Sequence, residues 1–203
     1  MKLHIIRHAE SEANREQVIA GQLDYPLTAT GKHDAAALAE EYLRHYRPER
    51  VYASHLSRAL QTAAPFVEPL GMTPVQDTRI AEHHLGVFQG ISYTEAHTLF
   101  RHSQHRKSLW SWKPEGGESY EEVARRLGDF FSSLSCETGP CLIVTHGSAM
   151  RVMRGMLENT LPAYPERVPV NGEVWEVDFT EVGQPHHLCS IFFDGLDYRS
   201  HSI

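Results

Sequence analysis

Cysteine, positive charge and long apolar runs are all scarce in this chain, and each shortage excludes a class of protein. Only Cys136, Cys141 and Cys189 occur among 203 residues. An odd count without redox or zinc spacing provides no disulfide framework and no thiolate metal site. The three read as reduced thiols, mostly in the core, of a cytoplasmic protein. The formal net charge of −7 leaves no basic footprint for nucleic acid, so any phosphate pocket must be a local positive island. No apolar run approaches membrane length, and Arg7 interrupts Met1–Ile6 too early for a secretory signal. Repeats and low-complexity segments are absent as well.

The remaining composition is that of a folded domain. Charged residues at 22% and hydrophobic residues at 41% exclude disorder. The length suits a single domain spanning 1–203 with a sizeable core. Histidine is plentiful at 14 residues, in clusters at His83-His84, His186-His187 and His102 with His105. None has a His-Glu-x-x-His arrangement, and tandem histidines on a strand point to opposite faces. They read as surface or capping residues, so neither a metal nor another cofactor is expected.

Strands and helices alternate along the chain, which predicts an α/β sandwich. Strands are expected at Lys2–Arg7, Arg50–Ala53, near Thr73–Gln76, at Cys141–Thr145, Val174–Phe179 and Leu188–Asp194, the last two as an edge hairpin. A turn-rich stretch with Gly21, Asp24 and Pro26 leads to Thr28, a helix N-cap. The helix after it carries Ala35, Leu38, Ala39 and Tyr42 on one stripe as far as His45. Ser57–Val67 and Ser148–Leu157 form further helices. Ser92-x-x-Glu95 and Ser119-x-x-Glu122 are capping boxes that open two more.

Four segments carry chemistry. Arg7-His8-Ala9-Glu10-Ser11 ends the first strand, at the edge where α/β folds bind ligands. A neutral imidazole is a nucleophile, and a neighbouring guanidinium can fork two hydrogen bonds to a phosphate. Arg58 follows the second strand where a helix begins. Glu82 lies on a loop before Gly86 and Gly90. Leu142-Ile143-Val144-Thr145-His146-Gly147-Ser148 repeats the opening logic of an apolar strand, a histidine and then a helix.

In this order and spacing the four segments resemble the histidine phosphatase superfamily, the phosphoglycerate-mutase-like family, in its phosphatase branch. The likeness runs from Met1 to about Phe179. It implies a three-layer α/β fold, a mostly parallel sheet with helices on both faces. It also implies that His8 attacks phosphorus and carries a phosphohistidine, which water then hydrolyses. Arg7 and Arg58 would hold the equatorial oxygens and keep His8 neutral. His146 would bind a phosphoryl oxygen, aided by the dipole of the helix that follows. Glu82 would protonate the leaving oxygen and later activate water, since a carboxyl facing a phosphate anion keeps its proton more readily. Glu10 and Glu118 compete for that role, with Glu118 the more structural of the two.

Asn14, Gly21 and Gln22 match the substrate-side loop of the family. Ala9 replaces the usual Gly, and Ala20 stands where a hydroxyl residue often precedes the glycine. The stretch from about 83 to 118 interrupts the alternation and is basic and aromatic (Arg101, Arg106, Lys107, Trp110, Trp112). It is expected to form a lid over the pocket, its tryptophans facing the same way if the stretch is extended. Leu85 and Tyr93 stand where mutases of the family place a Tyr and a Lys, and the inserted stretch lacks their adjacent Arg-Arg pair. Leu85, with Val87 and Phe88, suits a less charged leaving group. Phosphatase is thus expected over phosphoglycerate mutase or a non-catalytic phosphate-binding module. The expected partner is a small phosphorylated substrate, taken by a monomer or homodimer, with no nucleic acid and no membrane.

Overall fold

A computed structural model describes residues 1–102, 110–134, 139–163, 166–196 and 198, with the side chains of 100–102 outside that description. Strand β1 is Lys2–Arg7, and β4 is Cys141–Thr145, buried along its whole length. Strands covered on both faces need apolar residues at successive positions, which is why neither alternates cleanly. With β2 (Arg50–Ala53), β3 (Val75–Gln76), β5 (Val174–Asp178) and β6 (Leu188–Ile191) they form one sheet in the order β3-β2-β4-β1-β5-β6. β4 pairs in parallel with both β1 and β2, and β2 with β3. β5 is antiparallel to both its neighbours, so it alone runs against the others, and β5 with β6 closes the edge as a hairpin.

Each face of the sheet is covered by a pair of helices. On one side α2 (Ala29–His45) and α3 (Ser57–Val67) bring Leu38, Tyr42, Ala59 and Phe66 against Ile6, Leu142 and Val144. On the other, α5 (Tyr120–Ser133) and α6 (Gly147–Leu157) bring Leu127, Phe130, Met150 and Met153 against Leu3, Ile5 and Ile143. Each buried Leu, Ile, Val, Phe or Met among them contributes about 1.5–3 kcal/mol, so the two-sided core dominates stability. The helix starts follow their caps. Thr28 Oγ1 accepts from the Gly31 N–H at 2.8 Å, and Ser119 and Glu122 form the reciprocal box. The first amide of α3 is capped from a distance, by Asp24 accepting from the Ser57 N–H at 2.7 Å.

The structure corrects several sequence expectations. A helix of five residues, α1 (Glu12–Glu16), occupies the stretch read as loop. Its box is Ser11 with Asn14 rather than Ser with Glu, and Gln17 in the left-handed region stops it after one turn, too soon for periodicity to show. α4 (Tyr93–His102) starts where expected, with Ser92 Oγ accepting from the Glu95 N–H at 3.2 Å. Trp110 and Ser111 lie in a turn rather than an extended run, so alternation does not govern the two tryptophans. Trp112 packs on Phe88 at 6.2 Å between ring centroids, which takes Phe88 out of the leaving-group side, while Val87 is exposed. Cys141 is buried, but Cys189 on β6 is exposed, contrary to the core reading.

His83 is buried, not superficial, with its Nε2–H donating to the Glu118 carbonyl at 2.6 Å. His186 is buried yet does cap, since its Nδ1–H reaches the Leu157 carbonyl at the end of α6, 3.2 Å away. The side chains of Arg101 and His102, and residues His105, Arg106, Lys107 and Cys136, lie outside the described residues. Among the described residues no helix is long and apolar enough to cross a membrane, and no three His, Cys, Asp or Glu residues group to hold a metal ion.

Candidate active site

The parallel register places Arg7 beside Thr145, so the next residue on each chain, His8 and His146, emerge together at the C-terminal edge of β1 and β4. Their ring centroids are 5.2 Å apart. His8 Nδ1 lies 2.7 Å from the Ala9 carbonyl oxygen, which can only accept. The ring hydrogen therefore sits on Nδ1, leaving the Nε2 lone pair free for attack. His146 has the opposite tautomer. Its Nδ1 accepts from the Arg58 Nε–H at 3.3 Å, so Nε2 carries the hydrogen, and that buried Nε2 has no partner among the described residues. Both rings are held neutral, far below the usual imidazole range. Burial is the largest cause in each, ahead of the Arg58 charge, whereas the sequence had pointed to the arginines alone.

Arg7 is buried, with Nη1 donating to the Pro169 carbonyl at 2.5 Å and Nε without a partner. Gly147 packs beside it, where a Cβ would crowd Val168 Cγ1 at 2.8 Å but meet the guanidinium carbon at an ordinary 3.5 Å. Arg58 is gripped by the loop before α2, donating to the carbonyls of Leu23 at 2.9 Å and Gly21 at 2.7 Å. Burial brings its pKa down to about 10, so it remains a cation at neutral pH. Gly21 is needed at its φ of +49°, where a Cβ would also collide with Gln89 Oε1.

Glu82, on the loop that follows β3, meets the N-terminus of α6 beside this cluster. Its carboxylate accepts from the N–H groups of Ser148 at 3.2 Å and Ala149 at 3.1 Å, and from its neighbour His83 at 2.8 Å. The helix N-terminus assigned to the phosphate beside His146 is thus engaged by Glu82. Arg126 on α5 fixes the backbone behind it, with Nη1 donating to Ala81 O at 2.8 Å and Nη2 to Glu82 O at 3.0 Å. Glu118 is tied to the same Arg126 through its Nε–H at 2.9 Å and to the His84 N–H at 2.9 Å, a structural arrangement. Glu10 turns away and accepts from Thr28 Oγ1 at 2.7 Å.

A cavity of about 250 Å3 opens over these groups, lined by Arg7, His8, Asn14, Gly21, Arg58 and Glu82. His146 lies behind it, fully buried. Gln22 does not line the cavity. Its Nε2 donates to the Glu82 carbonyl at 2.8 Å, so it braces the acid's main chain. Leu85, Tyr93, Ala96 and His97 from the inserted stretch form part of the wall, while Trp110 and Trp112 do not. A larger cavity, about 510 Å3, lies along α2 beside Glu10, His33 and Asp34 and contains none of the residues named for catalysis.

Sequence reading overlooked Tyr120, Arg126, Arg151 and Asn171. Arg151 and Tyr120 line the cavity, with the Tyr120 hydroxyl hydrogen-bonded to Ser148 and Arg151. Helical spacing from Ser148 to Arg151 would have placed both on one face of α6. Asn171 comes from an irregular segment that carries no periodic signal.

The description "Histidine phosphatase superfamily (branch 1)" belongs to the family model that matches residues 3–188. A relative from Serratia proteamaculans named "Probable phosphoglycerate mutase GpmB" is 32% identical over 176 residues, covering 82% of this chain and 79% of that protein. A "Glucosyl-3-phosphoglycerate phosphatase" of Mycobacterium tuberculosis is 30% identical over 170 residues, covering 77% and 74%. The native structure of a mycobacterial glucosyl-3-phosphoglycerate phosphatase superposes with a TM-score of 0.77 at 27% identity, covering 92% of this chain and 96% of that one.

Proposed function

The chain belongs to branch 1 of the histidine phosphatase superfamily, and on that premise we propose that it is a phosphomonoesterase, independent of metal, for a small phosphorylated metabolite. His8 Nε2 attacks phosphorus in line and the ester oxygen leaves. Water then displaces the phosphoryl group from the ring. The observation that carries this reading is the tautomer of His8, whose Nδ1–H is bonded to Ala9 O while Nε2 points away from any protein partner among the described residues.

Charge and hydrogen bonding suit the transfer. The equatorial oxygens gain charge as the transition state forms, and Arg7 and Arg58 in the lining supply preorganised donors there, with the His146 Nε2–H buried directly behind them. Glu82 gives its proton to the leaving oxygen and takes one from the attacking water. Its ties to Ser148 and Ala149 aim the carboxyl toward the cluster. Asn14 and Gly21 line the same cavity.

The relatives bear both mutase and phosphatase names, and the wall of the cavity supports the phosphatase reading. A mutase must hold a bisphosphorylated intermediate through reorientation. Leu85 and Tyr93 supply no cation for that purpose where they line the wall, and Arg151 is the one arginine beyond Arg7 and Arg58 among the described residues of the lining. The test is a panel of phosphomonoesters that includes glucosyl-3-phosphoglycerate and 3-phosphoglycerate, the latter with and without 2,3-bisphosphoglycerate. Release of inorganic phosphate with multiple turnovers is expected. Efficient interconversion of phosphoglycerates would make it a mutase, and a burst of one equivalent without turnover would make it a binding module.

A further inference from the structure

The peptide that follows the nucleophile is held from both sides. The His8 carbonyl accepts from Asn171 Nδ2 at 2.8 Å, and the Ala9 N–H donates to Thr62 Oγ1 at 3.0 Å. Both holding residues are buried, and each is tied to another residue of the site. Asn171 Nδ2 also reaches Asn14 Oδ1 at 3.2 Å, and the Thr62 hydroxyl donates to the Arg58 carbonyl at 2.7 Å. Neither residue belongs to the reacting set.

We propose that Asn171 and Thr62 are positioning residues that clamp the His8–Ala9 peptide and thereby set the tautomer and aim of the His8 ring. The inference rests on His8 being the nucleophile. Its physical basis is a short chain of torsions. Fixing the peptide plane fixes the His8 ψ and the Ala9 φ, which leaves only the Ala9 ψ between the clamp and the carbonyl that receives Nδ1–H. A plane free to tilt would let that carbonyl leave the ring. Nδ1–H and Nε2–H forms would then mix, and the second form has no lone pair where attack requires it.

The segment carrying Asn171 is itself organised for this task. The Glu173 carboxylate is fully buried and accepts from the Val170 N–H at 2.9 Å, Trp175 Nε1 at 2.8 Å and both ends of the Arg167 guanidinium. From that anchored turn Pro169 O reaches Arg7 Nη1, while the Arg7 main chain pairs with Gly172 N–H and Glu173 O, each at 3.1 Å. One turn therefore sets both Arg7 and His8.

The test uses the full chain with Thr62→Val, Thr62→Ser, Asn171→Asp and Asn171→Ala. Val keeps the shape of Thr without its hydroxyl, and Ser restores the hydroxyl. Asp puts an oxygen against two acceptors, whereas Ala removes the donor only. The readouts are kcat per phosphorylatable site, KM, and the His8 ring in 1H–15N long-range spectra. We expect Thr62→Val and both Asn171 variants to lower kcat about 10- to 100-fold, as a nucleophile displaced by about an ångström would. KM should stay within about threefold, since ground-state binding is not what the clamp serves. Thr62→Ser should recover most of kcat, and the single-tautomer signature of His8 should be lost in Val and Ala but kept in Ser. A lowered Tm with kcat per site and ring spectrum unchanged would overturn the proposal and leave the two residues structural. Should Thr62→Val not fold, Asn171→Ala decides by the same criteria. If wild type shows no turnover or labels a residue other than His8, the enzymatic reading fails. The ring spectra still judge the clamp in that case, and an unchanged tautomer in the variants sinks it.

Discussion

His4, inside β1, and His8, one residue past its end, are both buried histidines of the same chain segment with opposite hydrogen-bonding states. His4 is closed on both nitrogens, with Nδ1 2.7 Å from the Tyr42 hydroxyl and Nε2 3.0 Å from Glu176 Oε2. Tyr42 and Tyr46 add edge-on ring contacts at 5.3 and 4.4 Å. His8 is closed on Nδ1 only, and beside it Arg7 Nε and His146 Nε2 are buried without partners. Burying a polar group without a partner costs about 1–3 kcal/mol, so a fold tolerates such groups together only where another role maintains them. A satisfied histidine is part of the scaffold, and a cluster of unsatisfied donors beside a cavity marks a site.

The sharpest way to break this contrast is to remove the two histidines in turn. His8→Ala should lower turnover by about 10⁴-fold or more and abolish an acid-labile, base-stable phosphoenzyme, with the fold kept. Label on a serine or cysteine after rapid quenching would end the mechanism. Glu82→Gln should come next, because a general acid contributes about 10²–10⁴-fold when the leaving oxygen is basic. In single-turnover experiments it should slow an alkyl phosphate far more than p-nitrophenyl phosphate. Equal slowing would move the acid to another residue, with Glu118 the first to test.

Arg7→Ala should cost about 10²–10³-fold in kcat, more than it raises KM, because its unpartnered Nε serves charge that appears in the transition state. The affinity of orthovanadate, a mimic of the trigonal phosphoryl group, should fall in parallel. An effect confined to KM would reduce Arg7 to a ground-state contact. His4→Leu should do the reverse and leave kcat within about twofold, while urea denaturation shows a loss of about 1–3 kcal/mol from the abandoned Tyr42 and Glu176 groups. Loss of turnover in a well-folded His4→Leu protein would erase the distinction.

A further effect is in pH. His8 and His146 are both held well below the ordinary imidazole range, chiefly by burial, and His4 is lowered for the same reason against the pull of Glu176. The folded state therefore takes up fewer protons than the unfolded chain once the pH drops below about 6.5. Their contribution to stability is complete above about 6.5 and declines on acidification toward the folded-state values. Tm should fall between pH 7 and 5 while the His8 ring stays neutral in 1H–15N spectra. A His8 ring that titrates near 6.5 would contradict the burial argument.

The strands, the main helices and the histidines at two strand ends were legible because each carries a local signal, whereas Arg58 and Glu82 were picked out by their match to the family pattern. β1 and β4 are apolar runs that stop at a histidine, and Thr28 and Ser119 announce their helices through caps. α1 was missed because a single turn is shorter than any period it could display. His83 was misplaced because a histidine's burial depends on what packs over it, here Tyr120 at 4.6 Å between ring centroids. Gln22 was read as facing substrate, since nothing local reveals that its amide reaches the Glu82 main chain.

Sequence alone determined the side-chain types of the candidate residues and the order in which they appear, and strand and helix period are likewise properties of neighbouring residues. The tertiary structure decided the rest. β4 inserts between β1 and β2, which brings His146 beside His8 across 138 residues of chain. It also decided that Glu82 sits on the amides of α6, and that Asn171 and Thr62 grip one peptide. Hydrogen-bond satisfaction and burial are settled between segments distant in the chain, so which nitrogen of His8 holds its proton is a property of the fold rather than of the Arg-His pair.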